Sequence, residues 1–186
     1  KGKPLNNSAA FLYQGEVKKI INKTLLPNYD IFDEYRYFEP NNSFECINFK
    51  GRKIALSICE DLWNVQDNPL YTINPMDELA HHNPDLMINI AASPYNYHQT
   101  KVRKEVLKRN AKKYKLPLFY VNHVGAQTEL LFDGGSLVLN SNSDIYDEMK
   151  YFEEDYRVYN IEDIQTKSVK HISPEYSEIE SIYKAL

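Results

Sequence analysis

The chain has 186 residues, a formal net charge of −4 at pH 7 and 42% hydrophobic residues, which is enough to bury the core of one domain. A weakly acidic chain is not built to coat nucleic acid or an anionic membrane, and no apolar run approaches the roughly 18 residues that span a bilayer. Two cysteines in a chain of this length do not form a disulfide scaffold, so a reducing, cytoplasmic location is expected.

The first part of the chain predicts two β-hairpins. Each pairs two runs rich in apolar residues across a turn that contains a glycine, Gly15 in the first hairpin and Gly51 in the second. The paired runs are residues 9–13 with 17–25, and residues 44–49 with 53–59. Residues 28–40 between the hairpins are expected to form a loop. Residues 54–58 are apolar almost throughout, which is typical of a strand covered on both faces.

The second part alternates strands with helices. The predicted elements are a short helix at 75–82, strands at 85–92 and 118–124, a helix at 100–115 capped by Thr100, and a hairpin at 130–139 around Gly134 and Gly135. From residue 151 the chain is acidic and shows no period, with a linker expected at 167–175 and a helix beginning at 177–186. Alternating strands and helices with added hairpins predict an α/β fold with a mixed sheet.

The strongest local signal is a cysteine at the end of a buried strand. Cys59 follows the apolar run and precedes Glu60 and Asp61, so it stands where a strand ends and a polar loop begins. In α/β sheets, ligands bind at such carboxyl ends. A nucleophile held there at a sharp turn is exposed beside backbone N–H groups that face its substrate. On position alone, the simpler interpretation of Cys59 is a small buried hydrophobic residue.

A lysine near the end of another predicted strand is the second signal. Lys23 has apolar neighbours, so its side chain is a candidate to point into a cleft, although an isolated lysine usually lies on the surface. A cationic lysine beside a thiol lowers the thiol pKa and favours the reactive thiolate. The other cysteine, Cys46, shares a strand face with Phe44 and Asn48 and is interpreted as a packing residue.

Two sequence blocks together carry a resemblance to a known family. They read KTLLPNY at residues 23–29 and CEDLW at residues 59–63. Either block alone is a weak match, but both in this order are specific, and further matching blocks lie at residues 30–38, 89–94, 120–125 and 129–136. The chain resembles the nitrilase, or carbon–nitrogen hydrolase, superfamily from about residue 2 to residue 140. It is more closely similar to the glutaminase domains of glutamine-dependent NAD synthetases.

The resemblance implies a fold and a reaction. The fold would be a nitrilase-type αββα sandwich with mixed sheets, here lacking its N-terminal portion. The family uses a Cys-Glu-Lys triad to hydrolyse glutamine to glutamate and ammonia, which feeds the amidation of nicotinic acid adenine dinucleotide. By this pattern, Cys59 is the nucleophile and Lys23 stabilises the tetrahedral oxyanion, together with the backbone N–H after the cysteine.

The resemblance also implies a glutamine site. Three residues of the family pattern match positions in this chain, namely Tyr29, Glu60 and Ser93. A cationic residue usually follows the serine, and Lys101 is the candidate for that role. The glutaminase step needs no metal and no cofactor. The family associates through helices of this domain, so a homo-oligomer is expected.

Two parts of the family pattern are absent from the sequence. The catalytic glutamate lies well before the lysine in the family, whereas only Glu16 precedes Lys23 here, in a predicted turn. Glu34 is a candidate for the acidic residue that supports the lysine in this superfamily. The phosphate loop of the synthetase domain, which uses ATP and Mg²⁺, is also absent. We therefore expect residues 1–165 to be the C-terminal part of the glutaminase domain, residues 166–186 to be a connector, and the isolated chain to have negligible glutaminase activity.

Other interpretations of the sequence remain open. Another carbon–nitrogen hydrolase, such as an amidase, nitrilase or carbamoylase, would use the same chemistry on a different substrate. An inactive binding or scaffold piece is the second alternative. A zinc site is disfavoured because the histidines, including His81, His82, His98 and His123, lack the i, i+4 spacing of a zinc helix, and there is no CxxC motif. The basic helix at 101–115 is better explained by a solvated face than by nucleic-acid binding.

Overall fold

The computed structural model describes residues 2–65, 69–167 and 176–186. These residues form two compact units, Lys1–Asp85 and Leu86–Leu186. The division at residue 165 that the sequence suggested stays a prediction. The linker expected at 167–175 lies outside the described residues except for Lys167.

Both predicted hairpins of the first unit are confirmed. Strand β1 (Ser8–Tyr13) pairs antiparallel with β2 (Glu16–Asn22), and β3 (Ile47–Phe49) pairs antiparallel with β4 (Arg52–Ile58). Each hairpin closes with two residues at positive φ, of which the second is glycine. Such two-residue turns match the twist of antiparallel strands. The strand β3 is shorter than expected, because residues 44–46 precede its first ladder residue.

Two short helices complete the first unit. Helix α1 (Glu34–Tyr37) interrupts the stretch that the sequence suggested to be a loop. Helix α2 (Pro75–Ala80) is confirmed; proline begins it, and the side chain of Asn74 accepts a hydrogen bond from the Met76 N–H at 3.0 Å. The buried apolar side chains of this unit include Leu25, Leu26, Ala55, Leu62, Met76 and Leu79.

A mixed sheet forms the centre of the second unit. Strands β5 (Leu86–Ala91) and β6 (Leu118–Asn122) are parallel, and helix α3 (Gln99–Tyr114) connects them. Strand β9 (Leu137–Leu139) runs antiparallel to β6, and β10 (Ile145–Glu148) runs antiparallel to β9. The predicted α/β class with a mixed sheet is therefore confirmed.

The hairpin predicted at 130–139 is wrong. Strand β8 (Leu130–Asp133) pairs with β7 (Val124–Gln127), whereas β9 belongs to the central sheet. The glycines between β8 and β9 carry the chain from one sheet to the other: the Gly134 N–H donates to His123 O at 2.9 Å, and the Gly135 N–H donates to Lys150 O at 3.1 Å. A sequence that resembles a hairpin turn thus forms a crossing between two sheets.

A buried ion pair holds this crossing against helix α3. Arg103 donates to the Asp133 carboxylate at 2.9 Å and to Gly134 O at 3.2 Å, and both charged side chains are almost completely buried. The amide of Asn122 donates to the same two partners. Arg103 therefore does not belong to the solvated basic face that the sequence suggested for this helix.

The cap predicted for helix α3 is also wrong. The helix begins one residue earlier, at Gln99, and His98 occupies the cap position without a side-chain hydrogen bond. Thr100 lies inside the helix, where its Oγ1 is 3.5 Å from Asp133 Oδ2.

The described part of the C-terminal segment contains two short helices. Helix α4 (Ile161–Thr166) lies in the stretch that showed no sequence period. Helix α5 (Glu178–Ala185) confirms the predicted helix near the end of the chain; Ser177 and Glu180 cap it reciprocally.

Substitution of the crossing glycine tests this packing. A Cβ atom at Gly135 lies 2.2 Å from the Tyr151 ring, whereas one at Gly15 has no atom within 4 Å, and both residues have positive φ. We expect Gly15→Ala to lower the free energy of unfolding by about 1 kcal/mol through backbone strain. Gly135→Ala adds an overlap that costs roughly 1–3 kcal/mol more. Equal losses for the two variants in urea unfolding would contradict this account.

Candidate active site

Cys59 lies at a strained turn directly after strand β4. The strand ends at Ile58, and residues Cys59–Leu62 form one turn of 3₁₀ helix. The backbone of Cys59 has φ +44°, in the left-handed region that non-glycine residues rarely adopt. Its side chain is half-buried. Strain of this kind persists only where surrounding contacts hold it, and it is common at functional sites.

Lys23 is a buried lysine with a carboxylate partner. It directly follows strand β2, and its side chain is 1% exposed. Its Nζ donates to Glu34 Oε1 at 2.6 Å, and Asn7 Nδ2 donates to Glu34 Oε2 at 3.3 Å. A buried ammonium needs such a partner, because its desolvation is otherwise too costly. The predicted pairing of Glu34 with the lysine is confirmed by this contact.

Asp61 joins the segment after Lys23 to the turn that holds Cys59. Its Oδ1 accepts hydrogen bonds from the N–H groups of Thr24 at 3.0 Å and Leu25 at 2.8 Å. Its Oδ2 accepts from the Ile58 N–H at 3.0 Å. Burial raises the pKa of Asp61 to about 6, although the three hydrogen bonds oppose the shift. One buried carboxylate therefore fixes the two chain segments that carry the predicted lysine and cysteine.

Glu60 is buried next to Cys59 and accepts two tyrosine hydroxyls. Tyr29 Oη donates to Glu60 Oε1 at 2.8 Å, and Tyr71 Oη donates to the same oxygen at 3.2 Å. Burial raises the pKa of Glu60, and the two hydroxyls and Lys23 oppose that rise. Burial and the Glu60 carboxylate raise the pKa of both tyrosines, so both stay donors at neutral pH. The structure thus brings together the predicted Tyr29 and Glu60.

Tyr71 is a member of this cluster that the sequence did not reveal. It belongs to the segment between the 3₁₀ turn and helix α2, outside every block that carried the family resemblance. Neither periodicity nor spacing sets it apart from the other tyrosines of the chain. Its position depends on the folding of this segment, which a linear pattern does not encode.

The other two predicted site residues belong to the second unit. Ser93 follows strand β5; it is buried, and its N–H donates to Asn122 Oδ1 at 3.0 Å. Lys101 is exposed in the first turn of helix α3. Their roles in binding glutamine stay predictions.

The remaining cysteine and the histidines that the structure describes form no site of this kind. The Sγ of Cys46 lies 3.8 Å from Leu79 O, and burial raises the pKa of its thiol, which agrees with the predicted packing role. Within residues 2–65, 69–167 and 176–186, no group of three or more His, Cys, Asp or Glu side chains is arranged to hold a metal ion. Across the same described ranges, no helix is long and apolar enough to cross a membrane.

Solved structures define the class of fold. The chain superimposes on a carbon–nitrogen hydrolase from Helicobacter pylori with a TM-score of 0.67 and 22% identity, over 78% of this chain and 52% of that one. It superimposes on a Nesterenkonia amidase of the nitrilase superfamily with a TM-score of 0.61 and 23% identity, over 73% and 47% of the two chains. The chain therefore has the nitrilase-type fold of carbon–nitrogen hydrolases, as the motifs implied.

Closer relatives narrow the family. A glutamine-dependent NAD(+) synthetase from Synechocystis is 36% identical over 99% of this chain and 34% of its own length. The structure of the glutamine-dependent NAD+ synthetase from Acinetobacter baumannii superimposes with a TM-score of 0.84 and 34% identity, over 97% of this chain and 33% of that one. No protein-family model matches the chain. The predicted resemblance to glutamine-dependent NAD+ synthetases is confirmed, and the chain spans about a third of the length of these relatives.

Removal of the Asp61 carboxylate tests its bridging role. Asp61→Ala leaves three buried N–H groups without their acceptor, and each unsatisfied group costs about 1–3 kcal/mol. We expect the free energy of unfolding to fall by about 3 kcal/mol or more in urea titrations. Asp33→Ala is the control, because Asp33 is exposed and forms a surface ion pair with Arg36; the loss of unfolding free energy is expected to stay below about 1 kcal/mol. Similar losses of unfolding free energy in Asp61→Ala and Asp33→Ala would argue against a bridging role for Asp61.

Proposed function

We propose that this chain is the part of a glutamine-dependent NAD+ synthetase that hydrolyses glutamine to glutamate and ammonia. The observation that carries the proposal is the Asp61 bridge, which fixes Cys59 and Lys23 on two adjoining segments. A thiol nucleophile and a buried, paired ammonium on adjoining segments are the groups that covalent amide hydrolysis needs. The relatives over the same residues carry the name of that enzyme.

In the first step, Cys59 is the nucleophile. A general base removes the thiol proton, and the sulfur attacks the carbon of the glutamine side-chain carboxamide. The C–N bond breaks, the base returns the proton to the leaving nitrogen, and ammonia departs from a thioester on the cysteine. Lys23 and the backbone N–H after Cys59 stabilise the negative charge that forms on the carboxamide oxygen.

In the second step, water cleaves the thioester. The same base takes a proton from the water, the hydroxide attacks the thioester carbon, and the C–S bond breaks to release glutamate and the protonated thiol. By the family pattern this base is a glutamate. Glu16, which precedes Lys23, is exposed at the end of a hairpin turn and forms an ion pair with Lys18. Glu34 forms an ion pair with Lys23. Neither carboxylate is therefore proposed as the base. We assign the base to a part of the parent protein that precedes this chain, so we expect the isolated chain to release negligible ammonia.

The glutamine site has a cluster suited to an amino acid. Glu60, an ionisable carboxylate beside the nucleophile, is matched to the α-ammonium group, and Tyr29 orients it. Ser93 and Lys101 are proposed to contact the rest of the substrate. The hydrolysis needs no cofactor, whereas ATP and Mg²⁺ are assigned to the synthetase domain of the parent protein, which we propose to be cytoplasmic and homo-oligomeric.

A different carbon–nitrogen hydrolase is the second candidate function. Its support is the structural likeness to an amidase and a carbon–nitrogen hydrolase. Those two structures have lower sequence identity to this chain than the NAD+ synthetases do, and they establish only the fold. The Glu60 cluster also favours an amino-acid amide over a simple aliphatic amide, since a buried carboxylate gives an uncharged alkyl group nothing to bind.

Labelling with a diazo-ketone analogue of glutamine tests the nucleophile and the substrate class together. In the complete parent protein, peptide mass mapping is expected to find the label on Cys59, and glutamine is expected to protect it. Cys59→Ala removes the label and lowers glutamine hydrolysis by about 10³-fold or more, because no other group replaces the thiol.

Cys46→Ala is the matched control for labelling. Its thiol has a raised pKa and contacts a backbone carbonyl, so its removal leaves the labelling unchanged. Labelling on Cys46 in place of Cys59 would overturn the assignment. Labelling on Cys59 that glutamine does not block would retain the nucleophile but favour another carbon–nitrogen hydrolase.

A further inference from the structure

Two hydroxyl groups converge on a single oxygen of Glu60. Tyr29 and Tyr71 both donate to Oε1, at 2.8 and 3.2 Å. A carboxylate accepts about four hydrogen bonds, two on each oxygen. Within the described residues, the hydrogen bonds to the Glu60 carboxylate thus fall on one oxygen and orient the group, while Oε2 keeps its capacity for a ligand.

The segment that carries Tyr71 is anchored by a second buried side chain. Asn64, two residues after the 3₁₀ turn, is 8% exposed. Its Nδ2 donates to Tyr71 O at 3.0 Å and to Ile73 O at 2.8 Å, and its Oδ1 accepts from the Tyr71 N–H at 3.2 Å. Asn74 Nδ2 in turn donates to Asn64 O at 3.0 Å. The backbone of Tyr71 is therefore tied to the segment that directly follows the turn with Cys59 and Glu60.

We propose that Tyr71 is a positioning residue that holds the Glu60 carboxylate toward the α-ammonium group of an amino-acid amide, with Asn64 as its anchor. This inference rests on the proposed function and concerns the specificity of the same site. Tyr71 acts through Glu60 and does not take part in bond breaking. It makes the site selective for substrates that carry an α-ammonium group over simple amides of similar length.

The charges around Glu60 give the proposal a pH signature. Burial raises the pKa of Glu60, the hydroxyls of Tyr29 and Tyr71 and the Lys23 ammonium lower it, and Glu34 raises it. An α-ammonium group binds the ionised carboxylate, so binding is present above the pKa of Glu60 and is lost as the pH falls through it. Removal of the Tyr71 hydroxyl takes away one contribution that lowers the pKa of Glu60. The loss of binding then begins at a higher pH.

Steady-state kinetics of Tyr71→Phe in the complete parent enzyme test the inference. We expect KM for glutamine to rise about 10-fold, as for one lost hydrogen bond to a charged group, with kcat within about 2-fold of the native value. The acidic limb of kcat/KM is expected to move to higher pH. The rate at which iodoacetamide, which lacks an α-ammonium group, alkylates Cys59 is expected to stay unchanged. Tyr183→Phe, an exposed tyrosine of helix α5, is the control for all three measurements.

Three other results would overturn the proposed role of Tyr71. Unchanged KM and an unchanged acidic limb in Tyr71→Phe, in an enzyme that hydrolyses glutamine, overturn the positioning role alone. Equal losses in glutamine hydrolysis and in iodoacetamide alkylation show a merely structural role and also overturn it. A native parent enzyme that is alkylated at Cys59 but does not hydrolyse glutamine overturns the proposed function, and the inference fails with it.

Discussion

The Asp61 carboxylate sits between two segments that are far apart in sequence and accepts a backbone N–H from each of Thr24, Leu25 and Ile58. The hairpins alone leave the end of β2 and the end of β4 without a fixed relation. Three hydrogen bonds to one buried acceptor supply that relation, because each constrains both a distance and a direction. The geometry of the candidate site depends on this carboxylate.

The candidate site concentrates charges that proteins usually keep in water. Lys23 pairs with Glu34, Glu60 accepts two tyrosine hydroxyls, and Asp61 accepts only backbone groups. Such groups contribute little net stability, since desolvation offsets most of their attraction. Their value lies in preorganisation: a fixed ammonium and fixed donors stabilise developing charge without rearrangement during the reaction. The strained φ of Cys59 is maintained by these surroundings.

Sequence patterns predicted the parts of the fold and site that depend on neighbours along the chain. Glycine turns marked both hairpins, and the change from apolar to acidic residues marked the end of β4 and Cys59. The sequence patterns gave wrong predictions where contacts between residues far apart in sequence decide the path of the chain. Arg103 and Tyr151 hold the Gly134–Gly135 crossing that local chemistry suggested to be a hairpin turn. Tyr71 stayed hidden for the same reason, because Asn64 sets its position through side-chain contacts.

Native-state hydrogen exchange at the Thr24, Leu25 and Ile58 amides tests the bridge most directly, because these N–H groups are the donors to Asp61. We expect slow exchange for all three in the native chain and joint acceleration in Asp61→Ala, which removes the acceptor of all three N–H groups. The Leu107 amide in helix α3 of the second unit is the reference and is expected to keep its rate. Unchanged exchange at Thr24 and Leu25 in the variant would contradict the claim that Asp61 holds the two segments together.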